Sequence, residues 1–558
     1  MELSLREIES FVLDRLTFVK EIKLFKNEKD LLVNGTCKLK LENQEKTLEF
    51  EVQIYPHYPL SSYNSEAIRF FNKELLHLSH VMKEGYICIH TTHNPDIRKK
   101  LIIDFHSLKN WIEKYYINAK SDVHYEHLVI EQKEIGGNYR SFMFTELDYT
   151  FSDGQYGEVD ISIIGQSMFK NKPCGNFIIQ SFIIDQTKTV DCFWSKTYKS
   201  FDRTNIGFFY YMNHPPATYS KFIYESWSEL GKHLSEDFLL LLHNFERQHS
   251  KETKDYIPLL IGYPTTANKI HWQVALLKLG NFPFYGTPEK IDGKKTGKWV
   301  SAIRDEPIEW AISRDVSYEL FFGRGALTNN LTDNNILIIG IGAIGSILAK
   351  SLVQGGCKNI DICDFDIKNP ENVCRSEYQF KYGVGTKTTE LKKILIDISP
   401  FTNIEIIDNE NFDPIIKMSA DDPERRKGIT HFLAKYDFIF DCSTDNNLMY
   451  ALDKLELANS TINLSITNYA AELVCGVGIG LYQFVMNQFE NILDNNLEDK
   501  YEPVGCWSPT FKASYNDIST KVHLALKHIN NELKLKRKLS NFVISESEDN
   551  LQLTINKY

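Results

Sequence analysis

The fold is decided by residues 336–345, which run Ile336-Leu337-Ile338-Ile339-Gly340-Ile341-Gly342-Ala343-Ile344-Gly345. The four leading apolar residues are typical of a buried parallel strand. Gly340, Gly342 and Gly345 follow at G-x-G-x-x-G spacing, and apolar residues at helical spacing continue through 346–352. Because the glycines permit a tight turn and the helix N-terminus presents free N–H groups to phosphate, this stretch predicts the start of a nucleotide-binding βαβ unit.

Polar residues follow the next predicted strand, 359–365. The strand ends in Asp364, which is suitably placed for a ribose hydroxyl. Asn372, Arg375 and Lys387 come next and form a cluster of donors and cations. Such a cluster suits the cleavage of ATP at its α-phosphate, because negative charge builds up on the phosphoryl oxygens in the transition state. Hydride transfer has no obvious need for it.

A further predicted strand, 438–441, leads into Cys442-Ser443-Thr444-Asp445. The carboxylate of Asp445 then lies at a strand end, where Mg²⁺ could bind. A G-x-G-x-x-G turn by itself also suits an NAD-dependent oxidoreductase, so that function stays an alternative. It would leave Asn372, Arg375 and Asp445 without a role.

The ordered set of motifs resembles the adenylating domain of ubiquitin-activating enzymes and of their bacterial sulfur-carrier relatives, the ThiF/HesA/MoeB type. The resemblance covers about residues 312–535 and implies ATP and Mg²⁺ as cofactors. By this resemblance Asp364 would bind the ribose and Asp445 the metal ion. The triphosphate would be bound by Asn372, Arg375 and Lys387. In that family an arginine reaches the triphosphate across a dimer; Arg324 is the candidate here, with a surface arginine as the alternative.

The whole chain has 558 residues and a formal net charge of −11, so we expect about three domains and no general attraction to nucleic acid. No segment approaches the roughly 18 apolar residues of a membrane span. The ten cysteines include no C-x-x-C pair, which favours reduced thiols in a cytoplasm over a zinc site or a redox pair.

The first 120 residues carry a predicted helix at 5–18, alternating strands at 31–41 and 48–55, and a predicted helix at 108–116. This order, with Gly-Tyr-Ile-Cys88 between the strands and the last helix, resembles a ubiquitin-conjugating domain. The resemblance makes Cys88 the thioester-forming cysteine; a buried strand cysteine is the alternative.

The resemblance also places His80 where that family usually has an asparagine, and a histidine N–H can serve an oxyanion. We interpret His90 and His93 as surface or packing histidines, because no carboxylate or second cysteine completes a metal site.

Residues 121–311 carry no phosphate loop, triad or ligand cluster, and we interpret them as an α/β middle domain that acts as a spacer, with target recognition as the alternative. We predict a strand at 257–264, a long helix at 222–245, another helix at 271–279, and a mobile loop at 286–298.

Residues 312–558 form the predicted Rossmann-like domain. Cys506 lies in Gly505-Cys506-Trp507-Ser508-Pro509, just before a helix predicted from residue 514 onward. A cysteine before a helix N-terminus can have a lowered thiol pKa. The context resembles the activating cysteine of bacterial conjugating–activating fusion proteins; a turn cysteine under Trp507 is the alternative. Cys374 and Cys442 are interpreted as lining the nucleotide pocket.

Taken together, the sequence resembles the conjugating–activating fusion proteins of bacterial anti-phage CBASS operons. The resemblance implies that a protein C-terminus becomes an acyl-adenylate, then a thioester on Cys506, then a thioester on Cys88, and is finally joined to an amine. The implied partners are a cyclic-nucleotide synthase, or alternatively a ubiquitin-like modifier, and a second copy of the chain in a homodimer. A non-catalytic scaffold is the remaining alternative.

Overall fold

The computed structural model describes residues 4–26, 32–41, 46–62, 65–120, 133–185, 187–198, 205–249, 256–265, 269–291, 294–407, 409–457, 460–492, 513–547 and 552–558. The chain is a mixed α/β protein with three main sheets, which follow one another along the sequence. Among the helices of these ranges, none has both the length and the apolar composition that crossing a bilayer requires.

The N-terminal sheet is a four-stranded antiparallel meander in the order β1-β2-β3-β4. Helix α1 begins at a capping box, in which Ser4 Oγ accepts a hydrogen bond from the Glu7 N–H. The alternating apolar side chains of the strands pack against α1 and α2 in one core. The elements are α1 Leu5–Arg15, β1 Val19–Lys26, β2 Val33–Leu39, β3 Leu48–Ile54, β4 Ile68–Phe71, a 3₁₀ turn Lys73–Leu75, α2 Ile97–Trp111 and a π-helical turn Ile112–Ile117.

The middle sheet has eight strands in the order β5-β16-β13-β12-β9-β6-β7-β8, and an additional pairing of β5 with β7 closes seven of them into a ring. The two cores on this sheet are rich in aromatic residues. Its elements and neighbours are β5 Tyr139–Phe144, β6 Tyr156–Phe169, β7 Lys172–Ile184, β8 Lys188–Asp191, β9 Asn205–Tyr211, β10 Ala217–Thr218, β11 Phe222–Ile223, α3 Trp227–Gly231, α4 Glu236–His249, β12 Tyr256–Pro264, β13 Ile270–Lys278, β14 Phe284–Ile291, β15 Lys294–Ile303 and β16 Glu309–Asp315.

The C-terminal sheet has the order β21-β18-β17-β22-β23-β24-β25-β26, parallel through β23 and antiparallel beyond it. Its elements and neighbours are α5 Tyr318–Phe322, α6 Asn329–Thr332, β17 Asn335–Ile339, α7 Ala343–Gln354, β18 Asn359–Cys363, β19 Ile367–Lys368, 3₁₀ turns Pro370–Arg375 and Phe380–Tyr382, β20 Gly385–Thr386, α8 Lys387–Ile398, β21 Asn403–Ile406, α9 Asn409–Ser419, α10 Pro423–Leu433, β22 Phe438–Asp441, α11 Asn446–Lys454, β23 Ser460–Ile466, a 3₁₀ turn Asn468–Ala470, β24 Glu472–Val477, α12 Leu481–Ile492, α13 Tyr515–Lys534, β25 Phe542–Glu546 and β26 Leu553–Lys557.

Three predictions for the middle region are wrong. Residues 222–245 are not one helix, because β11, α3 and α4 divide them. Residues 271–279 are not a helix, because residues 271–278 belong to strand β13. The seven consecutive buried residues of this strand lie between β12 and β16. Residues 286–291 and 294–298 are not a loop, since they belong to the paired strands β14 and β15. The predicted strand at 257–264 is confirmed as β12.

Candidate active site

A cavity of about 1080 Å³ opens where the carboxyl ends of β17, β18 and β22 meet. The end of a parallel sheet is the usual place for a ligand in open α/β folds, because polar loops from several strands converge there. Seven residues selected from the sequence line this cavity: Gly340, Gly342, Asp364, Asn372, Arg375, Lys387 and Asp445. Cys374 and Cys442 line it as well.

The three glycines of the turn have different tasks. Gly340 has a φ of +78°, and a Cβ on it would lie 2.4 Å from Ser443 Cα. A Cβ on Gly345 would lie 2.0 Å from the Gly340 carbonyl oxygen. A Cβ on Gly342, in contrast, would meet no atom within 4 Å. Gly340 and Gly345 are therefore needed for the close packing of the turn, which leaves no room for a side chain. Gly342 instead leaves open space at the start of α7, where a phosphate could approach the backbone.

Asp364 holds the turn in place. Its Oδ2 accepts the Ile341 N–H at 2.8 Å, and its Oδ1 accepts the Asp366 N–H at 2.8 Å. Burial raises the pKa of this carboxyl, although the nearby Lys387 acts in the opposite direction. The carboxylate thus links the glycine turn to the end of β18 and still faces the cavity.

Lys387 is the first residue of α8, and its side chain is only 10% exposed. Its Nζ lies 2.8 Å from Asp366 Oδ2. Arg375 ends the 3₁₀ turn Pro370–Arg375 and is half-buried. In the same turn Asn372 Oδ1 accepts the Asn369 N–H at 2.9 Å. Two cations and an amide therefore lie along one wall of the cavity.

Asp445 follows the carboxyl end of β22 and is the N-cap of α11. Its Oδ1 accepts the N–H groups of Asn447 and Leu448, and its Oδ2 accepts Lys417 Nζ at 2.6 Å. Burial acts to raise the pKa of Asp445, but the hydrogen bonds from Lys417 and from Leu448 N–H outweigh it and hold the pKa below its ordinary value. The carboxylate is therefore ionised at neutral pH and suits a cation.

Two residues of this wall were missed in the sequence. Lys417 bridges Asp445 and Asp413, with its Nζ 3.0 Å from Asp413 Oδ2. Asp413 also lines the cavity. The i,i+4 spacing of Asp413 and Lys417 was a visible sign of an ion pair on a helix, but nothing in it indicated that α9 faces the strand ends.

The second group of predicted residues surrounds Cys88, in the N-terminal part. The Cys88 N–H donates to the His80 carbonyl oxygen at 2.8 Å, and the His80 ring packs against Tyr115 with centroids 4.8 Å apart. Cys88 Sγ lies 3.6 Å from His90 Nε2. The half-exposed Cys88 thus has an imidazole beside its thiol, and our interpretation of His90 as a packing or surface histidine missed this contact. The i,i+2 spacing of the two residues was the available signal.

Three further predicted residues are Arg324, Cys506 and Cys442. Arg324 is exposed and is not among the residues that line the cavity. Cys506 lies outside the described residues. Burial raises the pKa of the Cys442 thiol well above its ordinary value, which suits a packing residue of the pocket and not a nucleophile. Among the ranges given above, no group of three or more His, Cys, Asp or Glu side chains is arranged to hold a metal ion.

Comparison with known proteins gives a family for part of the chain. Residues 312–463 match the ThiF family. Over 290 residues the chain is 23% identical to the "ATP-dependent ubiquitin transferase-like protein Cap2" of Enterobacter hormaechei subsp. hoffmannii (strain UCI 50); the alignment covers 49% of this chain and 46% of Cap2. Over 154 residues it is 29% identical to "tRNA threonylcarbamoyladenosine dehydratase 2" of Saccharomyces cerevisiae (strain ATCC 204508 / S288c), covering 25% of this chain and 32% of the relative.

Each of these two alignments spans less than half of the relative's length. Among solved structures, E. coli MccB with ATP is 18% identical and covers 41% of this chain and 65% of MccB, with a TM-score of 0.30. The glycine turn, β18 and β22 all fall inside the matched residues. Residues 312–463 of this chain therefore form a ThiF family domain.

Proposed function

We propose that this chain activates the C-terminal carboxylate of a protein with ATP and passes it through two cysteines to an amine. The observation that carries the proposal is the cavity at the strand ends, which combines an open backbone approach at Gly342 with Asp364, Arg375, Lys387 and Asp445. The ThiF family match supports an adenylating function for this cavity. The relative Cap2, described as an ATP-dependent ubiquitin transferase-like protein, supports the conjugating half.

In the first step the target carboxylate attacks the α-phosphorus of ATP. A carboxyl oxygen–phosphorus bond forms, the α–β phosphoanhydride bond breaks, and pyrophosphate leaves. In this proposal Lys387 and Arg375, which line the cavity, stabilise the negative charge on the phosphoryl oxygens, and Asp364 accepts hydrogen bonds from the ribose. Cations fixed in a cavity before the reaction stabilise this charge more strongly than mobile water does.

The donor chemistry of the site fits Mg²⁺. Asp445 would hold it, because a carboxylate at a strand end next to phosphate oxygens is the common protein contribution to a magnesium site. Bound Mg²⁺ would neutralise phosphate charge. Lys417, which now pairs with Asp445 Oδ2, would then be released toward Asp413 or the phosphates.

Two thioester steps follow in this proposal. The thiolate of Cys506 attacks the acyl carbon of the adenylate, the carbon–sulfur bond forms, and AMP leaves. The Cys88 thiolate then attacks the same carbon, and the Cys506 thiolate leaves. Finally an amine forms the amide bond, and Cys88 is released as a thiolate. Together these steps replace one difficult amide synthesis with several feasible substitutions at the acyl carbon.

A ubiquitin-conjugating-like role for residues 1–120 is part of the proposal. The antiparallel meander flanked by α1 and α2, with a half-exposed Cys88 after β4, supports it. His90 adds a proton acceptor at 3.6 Å from the thiol. The activated partner in this proposal is a cyclic-nucleotide synthase of an anti-phage operon in the cytoplasm, and the chain works as a homodimer to which Arg324 contributes.

The contact between His90 and Cys88 gives a direct prediction. His90→Gln is expected to slow alkylation of Cys88 by iodoacetamide at pH 7 about tenfold, because an imidazole that takes the thiol proton raises the thiolate fraction. The rate is measured by mass spectrometry of the Cys88 peptide. His93→Gln is the matched control, since His93 is also exposed and lies three residues away in sequence. Equal alkylation rates in both variants and the wild type would contradict the role of His90.

The adenylation step is tested by measuring the release of pyrophosphate. The wild-type protein, incubated with ATP, Mg²⁺ and the synthase, is expected to release pyrophosphate, and omission of the partner's C-terminal residues is expected to stop the release. A ubiquitin-like modifier tested in parallel distinguishes the alternative partner. Consumption of NAD without pyrophosphate release would instead support the oxidoreductase function.

A further inference from the structure

A tight hairpin of the middle region reaches toward the N-terminal part. Its strands are β10 and β11, and their turn contains Tyr219 and Ser220, which have φ values of 53° and 58°. The Lys221 N–H closes the turn by donating to the Thr218 carbonyl oxygen at 3.2 Å. Two successive left-handed residues fix the direction in which the chain leaves the turn. The side chain of Lys221 therefore starts from a well-defined point.

The ammonium group of Lys221 contacts the backbone of the segment that carries His80. Its Nζ donates to the Leu78 carbonyl oxygen and, at 2.8 Å, to the Val81 carbonyl oxygen. The two acceptors lie on either side of His80. Lys221 is half-buried, and its Nζ lies 5.0 Å from the centre of the Phe222 ring. Hydrogen bonds from a charged donor that is partly shielded from water are stronger than neutral ones.

The other two carbonyls of the segment 78–81 are also held. The Ser79 oxygen accepts the Trp111 indole N–H at 3.1 Å, and the His80 oxygen accepts the Cys88 N–H at 2.8 Å. His80 itself has a φ of 60°, which costs energy for a residue with a side chain and persists only when its surroundings fix it. Four successive carbonyls thus fix one strained residue, and two of them depend on Lys221.

We propose that Lys221 is a positioning residue for the Cys88 site, through which the middle region sets the reactivity of that cysteine. Lys221 holds the carbonyls on both sides of His80, His80 holds the Cys88 N–H, and the His80 ring is held against Tyr115. The inference rests on the proposed function for its catalytic consequence, and it gives residues 205–223 a role beyond that of a spacer. In the final transfer the amine forms the carbon–nitrogen bond, the carbon–sulfur bond breaks toward Cys88, and the amine proton leaves to solvent. Lys221 contacts none of the reacting atoms.

The test compares two lysines that both reach across the same boundary. Lys221→Met removes the contact with the segment 78–81 and keeps the aliphatic part of the side chain. Lys83→Met is the matched control, because Lys83 forms an ion pair with Glu225 between the same two parts of the chain. The side chains of Lys83 and Glu225 are largely exposed, whereas Lys221 is half-buried. Lys221→Arg keeps the charge and the donors. All variants are made in the full chain, and their thermal melting is recorded.

The first measurement is independent of activity. In Lys221→Met, hydrogen–deuterium exchange in the peptide that contains Cys88 is expected to be about tenfold faster, because the acceptor of the Cys88 N–H loses its support. Lys83→Met is expected to exchange like the wild type, and Lys221→Arg to fall between the wild type and Lys221→Met. The second measurement is transfer from Cys88 to an amine, whose kcat is expected to fall about tenfold in Lys221→Met while pyrophosphate release stays unchanged.

Two outcomes overturn the inference. One is wild-type exchange at Cys88 in Lys221→Met; the other is an equal effect of Lys83→Met, which would show a general loosening of the boundary. If the wild type transfers nothing through Cys88, the proposed function fails, while the exchange measurement still decides whether Lys221 holds the segment. If Lys221→Met does not fold, Lys221→Gln, which removes the charge and shortens the side chain, decides: faster exchange at Cys88 than in Lys83→Met supports the inference, and wild-type exchange contradicts it.

Discussion

Lys387→Met is expected to lower the rate of ATP-dependent pyrophosphate release by about 10²–10³-fold. The Lys387 ammonium is nearly buried, lines the cavity, and is held 2.8 Å from Asp366 Oδ2, so it is fixed before ATP arrives. Removing a fixed charge of this kind costs transition-state stabilisation that water in the cavity does not replace. The fold should survive, since Asp366 is half-exposed and can be solvated.

The control for this prediction is Lys381→Met. Lys381 is exposed on a neighbouring 3₁₀ turn and is not among the residues that line the cavity. Its replacement is expected to leave pyrophosphate release unchanged. Melting temperatures near that of the wild type in both variants would show that the difference is catalytic. A loss of less than about threefold in Lys387→Met would contradict the role given to this lysine.

Gly342→Ala is expected to weaken ATP binding without loss of stability, whereas Gly345→Ala is expected to lower the stability of the fold. The Cβ of Gly342→Ala enters open space, so this variant should melt like the wild type but bind ATP roughly tenfold more weakly, an effect of about 1.4 kcal/mol. The Cβ of Gly345→Ala meets the Gly340 carbonyl oxygen, so this variant should lose about 1–3 kcal/mol of stability or more.

Calorimetry of ATP binding and thermal melting of the two variants separate these effects. Each variant serves as the control for the other, because both add one methyl group to the same turn. Unchanged ATP binding by Gly342→Ala would contradict the proposal that a phosphate approaches the backbone at this position. Wild-type melting of Gly345→Ala would contradict the packing role of that glycine.

The sequence was most informative where a chemical motif and a hydrophobic pattern agree. The apolar run 336–339 and the glycines after it predict β17, the turn and the start of α7, and each is present. Apolar spacing from Ile518 onward likewise predicts helix α13, which begins at Tyr515 with Ser514 as its N-cap. In both places the local signal is sufficient, because the turn or the cap specifies the boundary without help from distant residues.

Prediction failed where distant contacts decide the structure. Strand β13 is buried on both faces, so its mostly apolar sequence does not alternate as a half-exposed strand would, and periodicity cannot distinguish it from a buried helix; its pairing with β12 and β16 decides. The contacts of Lys417 with Asp445 and of Lys221 with Val81 could not be predicted from the sequence for the same reason. These pairs are 28 and 140 residues apart, and no local pattern joins them.

The central claim is that ATP cleavage in this cavity loads an acyl group onto sulfur. Its most direct test is intact-mass analysis of the full chain after incubation with ATP, Mg²⁺ and the protein partner, with Cys506→Ala and Cys88→Ala in parallel. We predict a covalent adduct of the partner's mass minus water that thiol reagents remove. It should be absent in Cys506→Ala and confined to Cys506 in Cys88→Ala. An adduct that persists in Cys506→Ala, or no adduct in the wild type, would contradict the account.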